Sequence, residues 1–496
     1  MNYKITKSRV IYSFVWKFLE SIGTQGIQLI VMIILTRLLL PEEFGLLTLV
    51  VIFISIAALL VESGFNTALI QNKNTDEIDF SSVFYLNLII ASILYIVLFF
   101  TAPLIATFFE APQVILVVRI LSITLFFTAF NSVQYAIIAR NMQFEKFFKS
   151  SLLAVFISGI IGISMAYADC GIWALVGQQL TSQFLVTVIL WFTVNWRPKL
   201  IFSLKSVSQL YSFGWKLVAS TLIYTFYTNI QSLVIGKMFS SAMLGFYSRG
   251  MQLPNILVSN INGSIQSVMF PALASQQDNI NRVKEMSRRV IVTSSFIIFP
   301  LMVGLAVIAE PLVKIIFTEK WLPSVPFLQI FCGYYALWTI DATNLHVIKA
   351  LGRSDIFLKL EILKFLIGIL ILIMTIPYGV YVIALGVLIN RIITTILDAF
   401  PNKYLINYSF MEQLKDTIPS ILLSLVMGVT VYSIQWLELS DILTILIQIG
   451  IGIVIYISLA KLFKVECFVY LVFSIKNMLR SKKGKINWSN LREEEV

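Results

Sequence analysis

Histidine occurs once in these 496 residues, at His346, and cysteine three times, at Cys170, Cys332 and Cys467. One histidine cannot supply a His-based metal set, and no glycine-rich phosphate loop is present. The cysteines lie too far apart for a ligand or redox spacing and read as packing residues. Charge is scarce too. Asp, Glu, Lys and Arg make up 13% of the chain, against ~25% in soluble domains, which excludes an ordinary soluble fold. No carboxylate pair sits in a sizeable loop, so the pattern points away from hydrolysis, nucleotide use and metal catalysis.

What fills the sequence instead is apolar: 58% hydrophobic residues and a mean hydropathy of +0.87. Apolar runs long enough to cross a bilayer core of ~30 Å recur from one end to the other. The reading is an all-α polytopic membrane protein with about 14 transmembrane helices, the first near residues 14–38 and the last near 441–463. The gaps between runs are too short to bury cores of their own. The net charge of +11 is not a nucleic-acid footprint, because the cations alternate between loops. One side carries Lys4, Lys7 and Arg9, then Arg140, Lys146 and Lys149, then Arg197, Lys199 and Lys205, and finally the tail from Lys461 to Arg492. The other side has few cations and several acids, among them Glu42, Glu43, Glu110 and Asp169. The positive-inside rule therefore predicts a multi-pass protein with both termini cytoplasmic. Lys17 and Glu20 interrupt the first apolar run, and no small-residue cleavage site follows, so a cleaved signal peptide is not expected.

The chain repeats itself. SFVWKFLESIGTQGIQLIVMIILTRLLLPEEFG from Ser13 returns as SFGWKLVASTLIYTFYTNIQSLVIGKMFSSAMLG from Ser212, aligning Lys17 with Lys216, Arg37 with Lys237 and Gly45 with Gly245. Pro103-Leu104 and Phe109 return as Pro311-Leu312 and Phe317. Phe147-Phe148-Lys149 returns as Phe357-Leu358-Lys359, and Gly171-Ile172-Trp173 as Gly379-Val380-Tyr381. Offsets stay between 199 and 211 residues. Six spans per copy bring both copies into the membrane from the same side, which predicts two six-helix repeats in parallel orientation plus two C-terminal helices. The expected units are 1–200, a first six-helix bundle; 201–410, a linker helix and a second bundle; 411–464, two extra aliphatic helices; and 465–496, a basic cytoplasmic tail. Ser203 is placed to cap a short interfacial helix carrying Leu204, Val207, Leu210 and Tyr211. Two facing bundles form a cleft that can open to either side, an architecture for transport.

Ionisable groups within apolar spans cost ~2.5–3.5 kcal/mol each at a helix centre, so they mark a partner or a wet cavity. Arg391 leads a polar stripe with Thr394, Thr395 and Asp398, either facing a cavity or pairing with Asp398. Arg119 lies two turns into the fourth span. Lys17 and Lys216 are repeat equivalents, as are Arg37 and Lys237, with Arg249 just beyond. The candidate substrate-binding cations are thus Lys17, Arg37, Arg119, Lys216, Arg249 and Arg391. Glu62 and its repeat partner Asn262, together with Asp341 and Asp398, form the candidate coupling or polar-cavity set. No cofactor is expected, and a proton or sodium ion is the coupling species to test at Glu62 or Asp341. Glu361 and Lys364 are spaced to pair along one helix.

The TRLLLPEEFGLL and ESGFNTALIQ stretches, set in a 6+6+2 plan, resemble the Wzx-type flippases of lipid-linked polysaccharide repeat units. These form the capsule and exopolysaccharide branch of the multidrug/oligosaccharidyl-lipid/polysaccharide exporter superfamily. The resemblance implies movement of an undecaprenyl-diphosphate-linked oligosaccharide to the outer leaflet of a bacterial cytoplasmic membrane. It implies that Lys17, Arg37, Lys216 and Arg249 hold the diphosphate, and that the aliphatic run Ile442–Ile457 borders the polyprenyl tail. The partners it implies are the lipid-linked oligosaccharide, membrane lipid and other polysaccharide assembly proteins. The alternative within the superfamily is a multidrug/cation antiporter, which favours buried carboxylates; this chain has carboxylates and cations alike.

Overall fold

The computed structural model describes residues 7–62, 69, 75–437, 439–469 and 472–473; the side chains of 7–15, and several between 209 and 271, Lys216 among them, fall outside that description. Every long described element is a helix, because only helices satisfy their own backbone in hydrocarbon without closing a barrel. Chain packing divides into two compact units, Met1–Ser248 and Arg249–Val496.

The first unit holds α1 (Lys7–Leu38), α2 (Pro41–Glu62), α3 (Glu77–Phe108), α4 (Val114–Leu121), α5 (Thr124–Arg140), α6 (Phe144–Tyr167), α7 (Ile172–Thr193) and α8 (Leu204–Met238); α9 (Ser241–Ser275) begins in it. The second unit takes in the rest of α9, then α10 (Ile280–Val307), α11 (Ala309–Phe317), α12 (Val325–Ala336), α13 (Trp338–Ala350) and α14 (Ser354–Thr375). It ends with α15 (Val380–Ala399), α16 (Asn402–Leu405), α17 (Phe410–Tyr432) and α18 (Asp441–Leu462). Among the described residues, 10 helices or helix pairs are long and apolar enough to cross a membrane. Each coincides with one of the fourteen expected spans. The other four expected spans are helical but polar or broken. α14 opens with Asp355, Lys359, Glu361 and Lys364, α12 and α13 break at Leu337, and α8 and α9 are rich in polar residues. The separate interfacial helix expected near residue 204 is instead the first turns of α8, which runs unbroken for 35 residues. Nothing between Tyr211 and Trp215 breaks a helix strongly enough. Ser203 does cap it, its hydroxyl accepting from the Ser206 N–H at 3.3 Å.

Turns fall at equivalent positions of the two sequence copies. Helices end at Leu38 and Met238 and restart at Pro41 and Ser241. Left-handed backbone recurs at matching positions: Glu110 (φ 55°) and Thr318 (φ 82°), Met142 (φ 52°) and Gly352 (φ 73°), Gly171 (φ 57°) and Gly379 (φ 98°). Three residues that are not glycine carry a conformation costly to L side chains, so the chain direction, not residue preference, holds these turns.

Hydrocarbon gives no hydrophobic drive between helices, so small residues that let backbones close in do the work. In the first unit Ala57, Ala91, Ala102 and Ala129 are buried at the α2–α3–α5 contacts. Gly159 and Gly162 on α6 leave room for Val31 of α1 and Gln178 of α7. The tightest approach is reciprocal. A Cβ on Gly45 would overlap the Ser241 carbonyl oxygen, and one on Gly245 would overlap that of Pro41.

Prolines inside helices leave the carbonyl four residues earlier without its donor. Three carbonyls four residues before a proline find side-chain donors elsewhere in the fold. Arg119 Nε gives to Phe99 O at 3.2 Å, opposite Pro103. The Tyr456 hydroxyl gives to Phe296 O at 2.8 Å, opposite Pro300. Gln435 Nε2 gives to Val307 O at 3.2 Å, four residues before Pro311.

In the second unit a buried amide trio joins α13, α16 and α17. Asn344 and Gln413 exchange two hydrogen bonds of 2.9 Å, and Asn402 Nδ2 gives to Asn344 Oδ1 at 2.7 Å. At the end rich in cations, Arg288 of α10 bonds Asp416 of α17 at 3.1 Å and Glu466 beyond α18 at 2.7 and 3.0 Å.

Candidate functional site

Among the described residues, the densest set of buried charges lies in the second unit. Arg391 on α15 gives an Nη1 hydrogen bond to Asp341 Oδ2 on α13, and its guanidinium lies 4.0 Å from the centre of the Tyr334 ring. Asp341 is 2% exposed. About two turns further along α15, Asp398 faces Lys364 of α14, whose Nζ is 3.2 Å from both carboxylate oxygens. Lys364 also pairs with Glu361 along its own helix, as the spacing predicts. The pairing of Arg391 with Asp398 does not form. Seven residues along one helix separate the two groups by ~10.5 Å, so each takes a partner from a different neighbour. Thr394 and Thr395 turn their hydroxyls back to the Arg391 carbonyl at 2.9 and 2.8 Å. Three ion pairs on three helices thus set two cations against three carboxylates, with Asp341 Oδ1 and Arg391 Nε buried and without hydrogen-bond partners among the described residues. Burial of such pairs costs desolvation that only good geometry repays.

In the first unit the cations are more dispersed. Lys17 reaches Glu20 at 2.7 Å and lies 4.8 Å from the centre of the Phe147 ring. Arg119 is half-buried with a backbone carbonyl and the Phe99 ring as partners, its guanidinium 4.2 Å from the ring centre, and no carboxylate pairs with it among the described residues. Arg37 is exposed at the end of α1, and Glu62 is half-buried at the end of α2. The Lys216 side chain and the Ser63–Thr67 stretch after Glu62 lie outside the described residues. In the second unit Arg249 bonds the Gln252 side chain, and Asn262 is buried with its Oδ1 unpartnered among the described residues. Sequence reasoning missed Lys364 as the partner of Asp398 and missed Tyr334 altogether, because rotation of one helix against another leaves no mark in spacing.

A family described as "Polysaccharide biosynthesis protein" matches residues 34–326, more than half of the chain. The chain belongs to this family. Among its curated relatives, the teichuronic acid biosynthesis protein TuaB of Bacillus subtilis is 26% identical over 303 residues, 60% of this chain and 62% of that one. The lipopolysaccharide biosynthesis protein WzxC of Escherichia coli is 26% identical over 390 residues, 78% of this chain and 79% of that one. The fold is that of the lipid II flippase MurJ in an inward closed conformation, with a TM-score of 0.74 and 17% identity, covering 91% of this chain and 98% of that chain. This polysaccharide biosynthesis protein is therefore an all-α, multi-pass membrane protein.

The repeated motif of this family member also builds a cavity of about 270 Å³ within the first unit, lined by Glu42, Phe109, Glu110, Gln113, Lys237 and Ser241. Lys237 Nζ closes one wall with a 3.0 Å bond to Glu110 Oε1 and lies 5.1 Å from the centre of the Phe108 ring.

Proposed function

We propose that this chain moves undecaprenyl-diphosphate-linked oligosaccharide repeat units from the cytoplasmic to the outer leaflet, by alternating access, for surface polysaccharide synthesis. Membership of the polysaccharide biosynthesis family on a flippase-like fold carries the reading. Its setting is the bacterial cytoplasmic membrane with both termini inside. α8, α9, the α12–α13 pair and α14 supply four further crossings, making fourteen in two parallel repeats and a final pair.

The physics favours this cargo. A diphosphate headgroup cannot enter hydrocarbon unaided, but it can pass a hydrated cleft while its tail stays in lipid. Outward movement of negative charge in an inside-negative cell is downhill by ~2.3 kcal/mol per charge per 100 mV. Lys17, Arg37, Lys216, Arg249 and Arg119 are cations suited to lower the barrier that remains. Arg391 and Asp341 neutralise each other, so that pair is the better place for a coupling ion or proton than for the diphosphate, with Glu62, Asn262 and Asp398 the other polar positions to test.

The test is reconstitution into vesicles with a radiolabelled lipid-linked oligosaccharide, reading how fast its sugar becomes accessible on the opposite face. Acceleration by the wild-type chain, and a loss of roughly tenfold in Lys17→Met/Lys216→Met, is expected on removal of headgroup contacts. No acceleration, together with efflux of cationic dyes, assigns the chain to drug/cation exchange instead.

A further inference from the structure

Between α7 and α8 the chain runs for ten residues without regular structure, yet it is tightly held. The Lys199 N–H gives to Ser81 Oγ at 3.1 Å, and the Ser203 N–H gives to Ser82 Oγ at 2.9 Å. Both serines are fully buried on α3. Arg197 folds back over the Trp191 ring, 5.2 Å from its centre, and gives hydrogen bonds to the Val194 and Trp196 carbonyls at 2.6 and 2.7 Å. Trp196 in turn packs on Phe80 and Phe84. This is a strap of fixed shape.

What the strap presents outward is apolar. Leu200 is 94% exposed and Leu204 75%, with Phe202 at 45% between them. A fixed backbone that turns three large apolar side chains away from the protein needs something to cover them. Its level along α3 says what. The capping box of Asp76 and Asp79 marks the watery end of that helix, and from Phe80 to Phe108 it carries no charged residue. Ser81 and Ser82 thus hold the strap where α3 enters hydrocarbon. Trp191 and Trp196 stand at the same level, as indole rings do at membrane interfaces. Cations alternate with the apolar residues. Lys199 pairs with Glu77, while Lys205 is exposed and without a partner among the described residues.

We propose that residues 197–205 form a lipid-binding strap that seats Leu200, Phe202 and Leu204 at the boundary of headgroups and acyl chains. Lys199 and Lys205 take phosphates of anionic phospholipid. Exposed apolar residues flanked by lysine are the composition of interfacial anchors, and each cation near an anionic surface adds attraction that neutral lipid does not. Because the strap joins the two copies of the repeat, it pins their connection to one leaflet. The inference stands whatever the transported molecule is.

The test uses the full chain carrying Cys170→Ala, Cys332→Ala and Cys467→Ala, with Leu200→Cys or, separately, Phe202→Cys labelled with an environment-sensitive dye. The proteins are placed in vesicles of phosphatidylcholine with phosphatidylglycerol. Quenching by lipids doxyl-labelled near the headgroup is expected to exceed that at Asn195→Cys by about threefold, as for interfacially seated side chains. Lys199→Gln/Lys205→Gln is expected to weaken it, as is omission of phosphatidylglycerol. A label quenched by aqueous iodide, one shielded from both quenchers by a protein surface, or one indifferent to lipid charge overturns the proposal.

Discussion

Gly45 and Gly245 each occupy the place where the other's helix begins: the first lies on the carbonyl of Ser241, the second on the carbonyl of Pro41. The contact is reciprocal, each glycine meeting the carbonyl of the residue four positions before the other. Forcing a methyl into such a contact costs typically ~1–3 kcal/mol. Gly45→Ala and Gly245→Ala should each lower the melting temperature of the purified protein. Because both open the same gap, the double variant should lose less than the sum of the two. Full additivity in a melting series would mean that the glycines act separately.

Asp341 and Arg391 separate stability from function. Asp341→Asn leaves a buried guanidinium unpaired, which should destabilise by ~3–5 kcal/mol, whereas replacing both partners by apolar residues is often neutral. Asp341→Leu/Arg391→Met should therefore melt near the wild type. If transport in vesicles is nevertheless abolished, the pair belongs to the transport cycle. If transport survives, the pair is architectural.

The proline-freed carbonyls give a prediction of a different kind. Tyr456→Phe removes the donor to the buried Phe296 O and Arg119→Met the donor to the half-buried Phe99 O, each leaving an acceptor unmet at up to about 1–3 kcal/mol. Thermal unfolding should register both losses. A transport rate reduced only in Arg119→Met would give that cation a second role toward the headgroup.

Glu466 sets an acid limit. Hydrogen bonds from the Arg288 guanidinium hold its carboxyl below the usual 4.5. A carboxylate whose value is depressed on folding stabilises above the unfolded value and loses that contribution as pH falls through the folded one. Melting temperature should thus fall below about pH 4.5 more steeply in the wild type than in Glu466→Gln. The carboxylate is 69% exposed, so screening keeps the difference under ~1 kcal/mol. Identical pH profiles would show that the bridge contributes nothing to stability.

Much of the fold was legible because turns leave local signatures. The glycine after the first span, the proline pairs and the Gly171 and Gly379 corners carry the sequence repeat, and left-handed backbone appears at both corners. The site was less legible. A stripe on α15 identified Arg391 and Asp398 as polar, but which neighbour answers each depends on how α13 and α14 rotate about their own axes. Spacing along one helix carries nothing of that. The start of α8 failed for a related reason: an interfacial turn and a continuing helix share the same periodicity, and length alone decides between them.

The amide trio of Asn344, Gln413 and Asn402 has a mechanical reading. Each of its bonds has a definite donor and acceptor at fixed height, so sliding α17 by a single residue against α13 would strand several buried polar atoms at once. Lipid around such a seam offers no substitute partners. These helices are therefore keyed in register, and any rocking that includes them must carry them as one piece, with bending confined to places such as Pro419 where the ladder is already interrupted.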